Sequence, residues 1–254
     1  MTDLDQSFKV NDDPRLEVKL GSGSVRLLPG DAGSIEVSIQ GSSRSLEKLV
    51  VEQRGNTVIV QQRQRRLGSL DVTVVLPVGA SVKAELASAD LAADVNLGSL
   101  TAVIGSGDVT ARGVMHDASV LTASGDVRLA SLGGYAHLAT ASGDIKIAEA
   151  AGELECKTMS GDVSVGRADG TVAAKTSSGD LKVEAFGGSA LSFKTMSGDA
   201  RIGLRPGLIL DVDIETLSGD VRNDFGLSAE STEESKLAEL AIKTLSGDIT
   251  LFSA

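Results

Sequence analysis

The feature that most constrains this chain is a tripeptide, Ser-Gly-Asp, that returns at 106–108, 124–126, 142–144, 160–162, 178–180, 197–199, 218–220 and 246–248. Ser88-Ala89-Asp90 is a degenerate first copy, and from Ser88 onward the intervals are 18, 18, 18, 18, 18, 19, 21 and 28 residues. Five equal intervals do not arise from composition. A fixed period of this length marks a chain of stacked, near-identical units, each burying its apolar face against its neighbours.

Apolar residues keep fixed offsets around each motif. Six and four residues before the Ser stand Leu100/Ala102, Ala118/Val120, Ala136/Leu138, Leu154/Cys156, Val172/Ala174, Leu191/Phe193, Val212/Ile214 and Leu240/Ile242. Directly after the Asp, and again two residues on, come pairs such as Val127/Leu129, Ile145/Ile147, Val163/Val165 and Leu181/Val183. A period of two with one apolar face is the pattern of a half-buried strand. Each unit therefore holds two short strands, and Lys157, Lys175, Lys194, Arg128, Lys146, Lys182 and Arg201 lie on their solvent side. A second corner falls ten residues after the Ser, at Gly98, Gly134, Gly152, Gly170, Gly188 and Gly207. The extra length of the later units gathers at or beside this corner, with the longest insertion around Asn223 to Glu239. Insertions are tolerated where backbone is exposed.

These observations predict an all-β fold: a parallel β-solenoid, or single-stranded β-helix, of about 18 residues per coil. Nine coils at ~4.8 Å each form a rod on the order of 40 Å long. The hexapeptide pattern of left-handed helices is missing, and parallel crossovers favour the right hand, so a right-handed coil is expected. Composition agrees. Aromatics are 2% of the chain, with no Trp and one Tyr, while 41% is apolar. Large rings fill thick cores, and a core two side chains deep has no place for them.

Residues 1–80 break the period and read as a β-rich N-terminal cap, continuous with a repeat domain over 81–254. Strand-like runs occupy Leu16–Leu20, Val25–Leu28, Ile35–Ile39, Leu49–Glu52, Val58–Val60 and Leu70–Leu76. Arg54-Gly55-Asn56 reads as the tight turn of an antiparallel hairpin. Leu16 to Leu27 echoes the repeat, with Ser22-Gly23-Ser24 in the place of Ser-Gly-Asp. A solenoid end presents unpaired strand edges that something must cover.

Leu76-Pro77-Val78-Gly79-Ala80, the ladder of Ser-Gly-Asp-Val/Ile, and the closing Lys243-Thr244-Leu245-Ser246-Gly247-Asp248-Ile249 together resemble the bacterial β-strand-repeat domain of unknown function often labelled "putative adhesin". The resemblance covers the chain from about residue 15. It implies a β-helical fold and carries little about activity, because fold-level labels transfer poorly.

Four groups of residues could carry chemistry. In the Asp column (Asp90, Asp108, Asp126, Asp144, Asp162, Asp180, Asp199, Asp220, Asp248), stacked carboxylates at ~4.8 Å repel by about 1 kcal/mol even in bulk water. One reading has Ser and Asp bonding the turn's own N–H groups, with Arg128, Lys146, Lys182, Arg201 and Arg222 screening the charge. The other has Asp108, Asp126, Asp144, Asp162 and Asp180 binding Ca²⁺ between coils, although one carboxylate per coil is sparse for an ion that takes six or more oxygens. The Thr column (Thr122, Thr140, Thr158, Thr176, Thr195, Thr216, Thr244) could order water on a flat face. It shares the parity of the core, which points instead to a hydroxyl ladder inside the turn. His116 and His137 are the two histidines, and neither belongs to a nucleophile or zinc motif. Cys156 stands at a core offset and is expected to pack.

No catalytic residue, cofactor or metal site is therefore expected, and the chain reads as a non-enzyme. A net charge of −11 argues against nucleic acid and anionic membranes as partners. The basic stretch Gln61-Gln62-Arg63-Gln64-Arg65-Arg66 reads as a solvated loop. No apolar run approaches a membrane span and the N-terminus lacks a leader pattern. The expectation is a cytoplasmic location, or a surface or secreted one if a leader has been removed. The leading functional reading is a structural or interaction module, binding a protein partner or itself along the rod or at an end. The alternatives are an adhesin-like or Ca²⁺-stabilised surface repeat and a carbohydrate-active β-helix enzyme. Because the chain stops three residues after its last apolar position, the C-terminal coil is expected to be the exposed end, covered by the 223–239 insertion or by another molecule.

Overall fold

The architecture was read from a computed structural model, which describes residues 2–63, 68–224 and 236–254. The chain divides into two compact units, Met1–Ala130 and Ser131–Ala254. Both are built from strands whose alternate residues are buried, as a period of two requires.

In the first unit the strands are β1 (Thr2–Lys9), β2 (Arg15–Gly30), β3 (Ser34–Gly41), β4 (Leu49–Arg54), β5 (Thr57–Gln62), β6 (Leu70–Pro77), β7 (Ser81–Leu97), β8 (Leu100–Ser106), β9 (Val109–Val114) and β10 (Ala118–Ser124). A single helical turn, α1 (Ser43–Leu46), follows β3, with the Ser42 hydroxyl accepting from the Ser45 amide at its N-terminus. β11 (Val127–Leu132) is the strand in which the division between units falls. β2 and β7 are long because each passes through a corner without a break. Residues 15–27 pair in parallel with 81–93, and Ser22, Gly23 and Ser24 lie opposite Ser88, Ala89 and Asp90. The echo of the repeat at Ser22–Ser24 is thus a true coil. β7 pairs in the same parallel sense with β8 and β9, and β8 with β10.

On its other edge β2 meets two strands that follow it in sequence. Arg15–Lys19 pairs with Thr57–Gln61 of β5, and Gly23–Gly30 with Leu70–Pro77 of β6, both parallel. This outer coil is then sealed by reversal of chain direction. β4 runs antiparallel to β5 around Gly55, where φ is +59°, so the expected hairpin is present. β3 runs antiparallel to β6, and β1 to β3. β1 escaped sequence reading because its eight residues are mostly polar. Gln64, Arg65 and Arg66 of the basic stretch lie outside the described residues.

In the second unit the strands are β12 (Ala136–Ser142), β13 (Ile145–Ala150), β14 (Leu154–Ser160), β15 (Val163–Ala168), β16 (Val172–Lys175), β17 (Leu181–Phe186), β18 (Ala190–Ser197), β19 (Ala200–Leu204), β20 (Leu208–Ser218), β21 (Val221–Asp224), β22 (Lys236–Ser246) and β23 (Ile249–Ser253). Two parallel ladders form. One runs β12–β14–β16–β18, the other β13–β15–β17–β19. The side chains between them are the expected core: Leu154, Cys156, Val163 and Val165 are buried, and Phe186 and Phe193 are the largest side chains in it.

The stacking order then departs from the order of the chain. β18 pairs with β22 and β19 with β23, so the last two strands in sequence sit directly on 190–204. β20 and β21 pair with the far edges of β22 and β23 and form the outermost coil. The expectation that the C-terminal coil is the exposed end is therefore corrected. Leu240 and Ile242 are fully buried, whereas Val212, at the same repeat offset, is 42% exposed. The 223–239 insertion joins the outer coil to the inner one. Its residues 225–235 lie outside the described residues.

Candidate functional site

The Ser-Gly-Asp corner is a device for passing hydrogen bonds from coil to coil. At Gly198 φ is +153°, and an added Cβ would lie 2.0 Å from the Gly179 carbonyl oxygen, so only glycine fits there. The Gly198 amide donates to Ser246 O and the Ala200 amide to Asp248 O, which carries the parallel ladder around the bend. The amide of the Asp itself has no carbonyl opposite it. It donates instead to the carboxylate of the neighbouring Asp. Asp108 N reaches Asp90 Oδ1 at 3.0 Å, Asp126 N reaches Asp108 Oδ1 at 2.9 Å, Asp162 N reaches Asp144 Oδ1 at 3.1 Å, and Asp180 N reaches Asp162 Oδ1 at 2.9 Å. The series continues through Asp199, Asp248 and Asp220 in their spatial order. This corrects the reading in which Asp bonds its own turn: in these pairs the carboxylate of one coil serves the amide of the next. A backbone amide that faces the neighbouring coil takes its acceptor there, which explains the recurring Asp.

All five residues weighed as calcium ligands, Asp108, Asp126, Asp144, Asp162 and Asp180, lie in this ladder. Oδ1 of Asp108, Asp144, Asp162 and Asp180 is committed to an amide. Among the described residues no three His, Cys, Asp or Glu side chains converge in a way that could hold a metal ion. The basic column neutralises only part of the row. Arg128 lies 2.5 Å from Asp126 and 3.6 Å from Asp108, and Lys146 lies 3.2 Å from Asp144. Lys182 turns to Glu184 instead, and Arg201 lies over the Phe252 ring.

The Thr column is buried behind the corner except at Thr216 of the outer coil, which is half-buried, and this removes the flat water-ordering face. Thr195 Oγ1 donates to Ser197 O, and Thr244 Oγ1 to Gly198 O. The hydroxyls of Thr122, Thr158 and Thr176 have no protein partner, so no continuous hydroxyl ladder forms.

One polar cluster was missed in the sequence. Tyr135 Oη donates to Glu155 Oε2 at 3.0 Å, His137 Nδ1 lies 3.0 Å from the same oxygen, and Lys157 Nζ lies 2.7 Å from Oε1. These bonds, that from Lys157 first, hold the Glu155 carboxyl at about 2, well below its ordinary value. The bond to Glu155 raises the Tyr135 phenol in turn. The signal was available, since His137 and Glu155 occupy one position in adjacent coils. The cluster lies on an open strand surface. Burial pushes the Cys156 thiol up, as packing predicts. Two open surface hollows of the first unit, about 360 and 410 Å³, include neither His116 nor any Cys among their lining residues.

The outer coil 208–224 is the most unusual surface. Along β20, Leu210, Val212 and Ile214 alternate with Asp211, Asp213 and Glu215. In inner coils the apolar set is buried; here Val212 is 42% exposed and Val221 50% exposed. β22 is the only strand that pairs with β20, so among the described residues no strand lies on the other edge of its eleven residues. Lys243 bridges Asp213 at 3.3 Å and Glu215 at 3.0 Å from the inner side, which raises its own ammonium pKa. Asp220 closes the carboxylate ladder: its amide donates to Asp248 Oδ1 at 2.8 Å, Arg222 lies 3.9 Å from its carboxylate, and among the described residues no amide of a further coil reaches it.

Among solved structures, a protein described as a "putative adhesin" from Bacteroides fragilis matches 98% of this chain and 97% of its own at 14% identity, with a TM-score of 0.50. A second "putative adhesin", from Parabacteroides distasonis, matches 98% of this chain and 97% of its own at 13% identity, with a TM-score of 0.43. The first shares the fold. No curated protein matches the chain. The family model Toastrack DUF4097 matches residues 14–252, nearly the whole sequence, and the chain belongs to the Toastrack DUF4097 family.

Proposed function

We propose that this chain is a non-catalytic structural and interaction module that engages a protein partner through its outer coil, 208–224. The observation that carries this reading is the open edge of β20 beside exposed Val212 and Val221. An unpaired strand with an apolar face is a template for pairing with another chain. The repeated polar residues support the same reading, because the Asp ladder is occupied in joining coils. The coil itself is taken as right-handed with 18 residues per turn, in keeping with the preferred hand of parallel crossovers and with pairing of residues 18 apart.

Affinity capture from the source cell tests the proposal, comparing the full chain with Val212→Asp and with a control substitution on β1. Proteins retained by wild type and by the control but lost with Val212→Asp are the expected result. Identical retention by all three would remove the outer coil from the interaction. The narrower reading, a cell-surface adhesin, is favoured by the fold shared with the Bacteroides fragilis protein. Protease treatment of intact cells distinguishes the two: a surface adhesin is cleaved, an internal scaffold is not.

A further inference from the structure

We infer that the partner adds one parallel strand to the edge of β20, and that this strand alternates apolar with basic residues. The inference rests on the proposed interaction through the outer coil and specifies its chemistry. Three independent features of that coil set the requirement.

The inward row comes first. Val212 and Ile214 stand at the offsets that the core occupies in the inner coils, with Leu240 and Ile242 of β22 fully buried beneath them, and Leu210 lies over the buried Ala238. A strand continuing the stack must place apolar side chains over this row. The outward row supplies the charge. Lys157, Lys175, Lys194 and Lys243 follow one another in register, and the next residue of that column is Glu215. Along these five coils the sign reverses only on the last. Beside Glu215 stand Asp211 and Asp213, and one ammonium, that of Lys243, serves both Asp213 and Glu215 from the inner side. A strand on the open side meets three carboxylates, so Lys or Arg is favoured at its outward positions. The third feature is the Asp ladder, whose terminal carboxylate, Asp220, with Arg222 3.9 Å away, stands where at Asp199 and Asp248 the amide of the next coil donates. That arrangement fits a strand continuing in the parallel sense of the coils.

The same charges disfavour a second copy of this chain. Two β20 edges meeting about a twofold axis run antiparallel and bring Asp211, Asp213 and Glu215 of one against the same residues of the other. Like charges directly opposite on paired strands are destabilising. The remaining parallel edges of the first unit, on β5 and β6, are already covered by β4 and β3.

The test uses the full chain and two fluorescein-labelled octapeptides, Thr-Val-Lys-Ile-Lys-Val-Lys-Thr and its counterpart with Glu for each Lys, read by fluorescence anisotropy. The Lys peptide is expected to bind at least tenfold more tightly than the Glu peptide. Val212→Asp should abolish binding, and Asp213→Asn with Glu215→Gln should reduce the Lys-over-Glu preference at least threefold; circular dichroism melts confirm that the variants fold. Equal binding of the two peptides, no binding of either, or an unchanged preference in the doubly neutralised variant would overturn the inference. So would a wild-type dimer in sedimentation that Val212→Asp dissolves, since the occupant would then be a second copy. Peptide binding that begins only when residues 226–234 are replaced by a short Gly-Ser linker would overturn it as well, because the chain itself would fill the edge. Loss of captured proteins with Val212→Asp, alongside failure of the Lys peptide, leaves the interaction module standing and removes only the basic strand.

Discussion

β2 in the first unit and β20 in the second occupy comparable positions, yet they are treated differently. Each belongs to a coil near the limit of its parallel ladder, and in both places the outermost coil is not the one that sequence order would put there. β2 is paired along both edges, with β7 on one side and β5 and β6 on the other. Beyond β5 and β6 the chain reverses, and antiparallel β4 and β3 close the ladder. The last edges are then those of the short strands β1 and β4, which carry Asp3, Asp5, Glu52 and Arg54. Short, charged edges are how sheets avoid unwanted pairing. β20 has no such seal among the described residues. Its eleven residues present an open edge with exposed apolar side chains. Reversal of direction ends a parallel stack; an outer coil left parallel invites its continuation.

The sharpest way to break this comparison is to place a charge on each apolar face. Val74 on β6 is fully buried, and Val74→Asp should cost several kcal/mol and unfold the first unit, because a buried carboxylate there has no partner. Val212→Asp should leave the melting temperature within a few degrees of wild type. Truncation gives a smaller contrast. Leu16→Ala on β2 removes a fully buried side chain and should cost about 2–5 kcal/mol, while Val212→Ala should stay within about 0.5 kcal/mol in denaturant unfolding. If Val212→Ala proves as costly as Leu16→Ala, the outer coil is covered and the comparison fails.

The Asp ladder offers a third, finer contrast. Asp180→Ala orphans the Asp199 amide and should cost about 1 kcal/mol, with Asp180→Asn recovering most of it through the amide oxygen. Asp220→Ala takes no acceptor from a further coil and should cost nothing measurable by the same melts.

Much of the fold was legible because a solenoid repeats its physics. The parallel stacking of the repeats, the two apolar offsets, the hairpin at Gly55 and the echo at Ser22–Ser24 were all open to such a reading. The order of the last coils was not legible from the core pattern, because Val212/Ile214 and Leu240/Ile242 satisfy the same offsets equally well. The outward column held the missing information: Lys243 continues Lys157, Lys175 and Lys194, and Glu215 does not. The role of Asp was misread within a single turn, because its acceptor serves an amide one coil away. The Glu155 cluster was hidden for the same reason, its members being 18 and 20 residues apart.

That cluster makes the smallest prediction, and one that belongs to inner coils alone. Bonds from Lys157, Tyr135 and His137 lower the Glu155 carboxyl from 4.5 to about 2. A lowered carboxylate adds stability that is complete above its unfolded value and is lost as pH falls through the folded one. The small contribution of Glu155 should therefore be full above about pH 5 and fade from 4.5 toward 2. A carbon-detected NMR titration should place its midpoint near the lower limit, and Lys157→Met should move that midpoint upward.

The central claim, that 236–253 lies inside and 208–224 outside, is tested most directly by hydrogen exchange of backbone amides on the native chain. Exchange reports local opening, and an edge strand opens at lower free energy than one paired on both sides. The structure predicts slow exchange across Leu240–Thr244 and faster exchange across Leu210–Ile214, although the slow segment lies nearer the C-terminus. Protected amides at Leu210–Ile214 with rapid exchange at Leu240–Thr244 would contradict the coil order, and with it the open edge on which the functional reading depends.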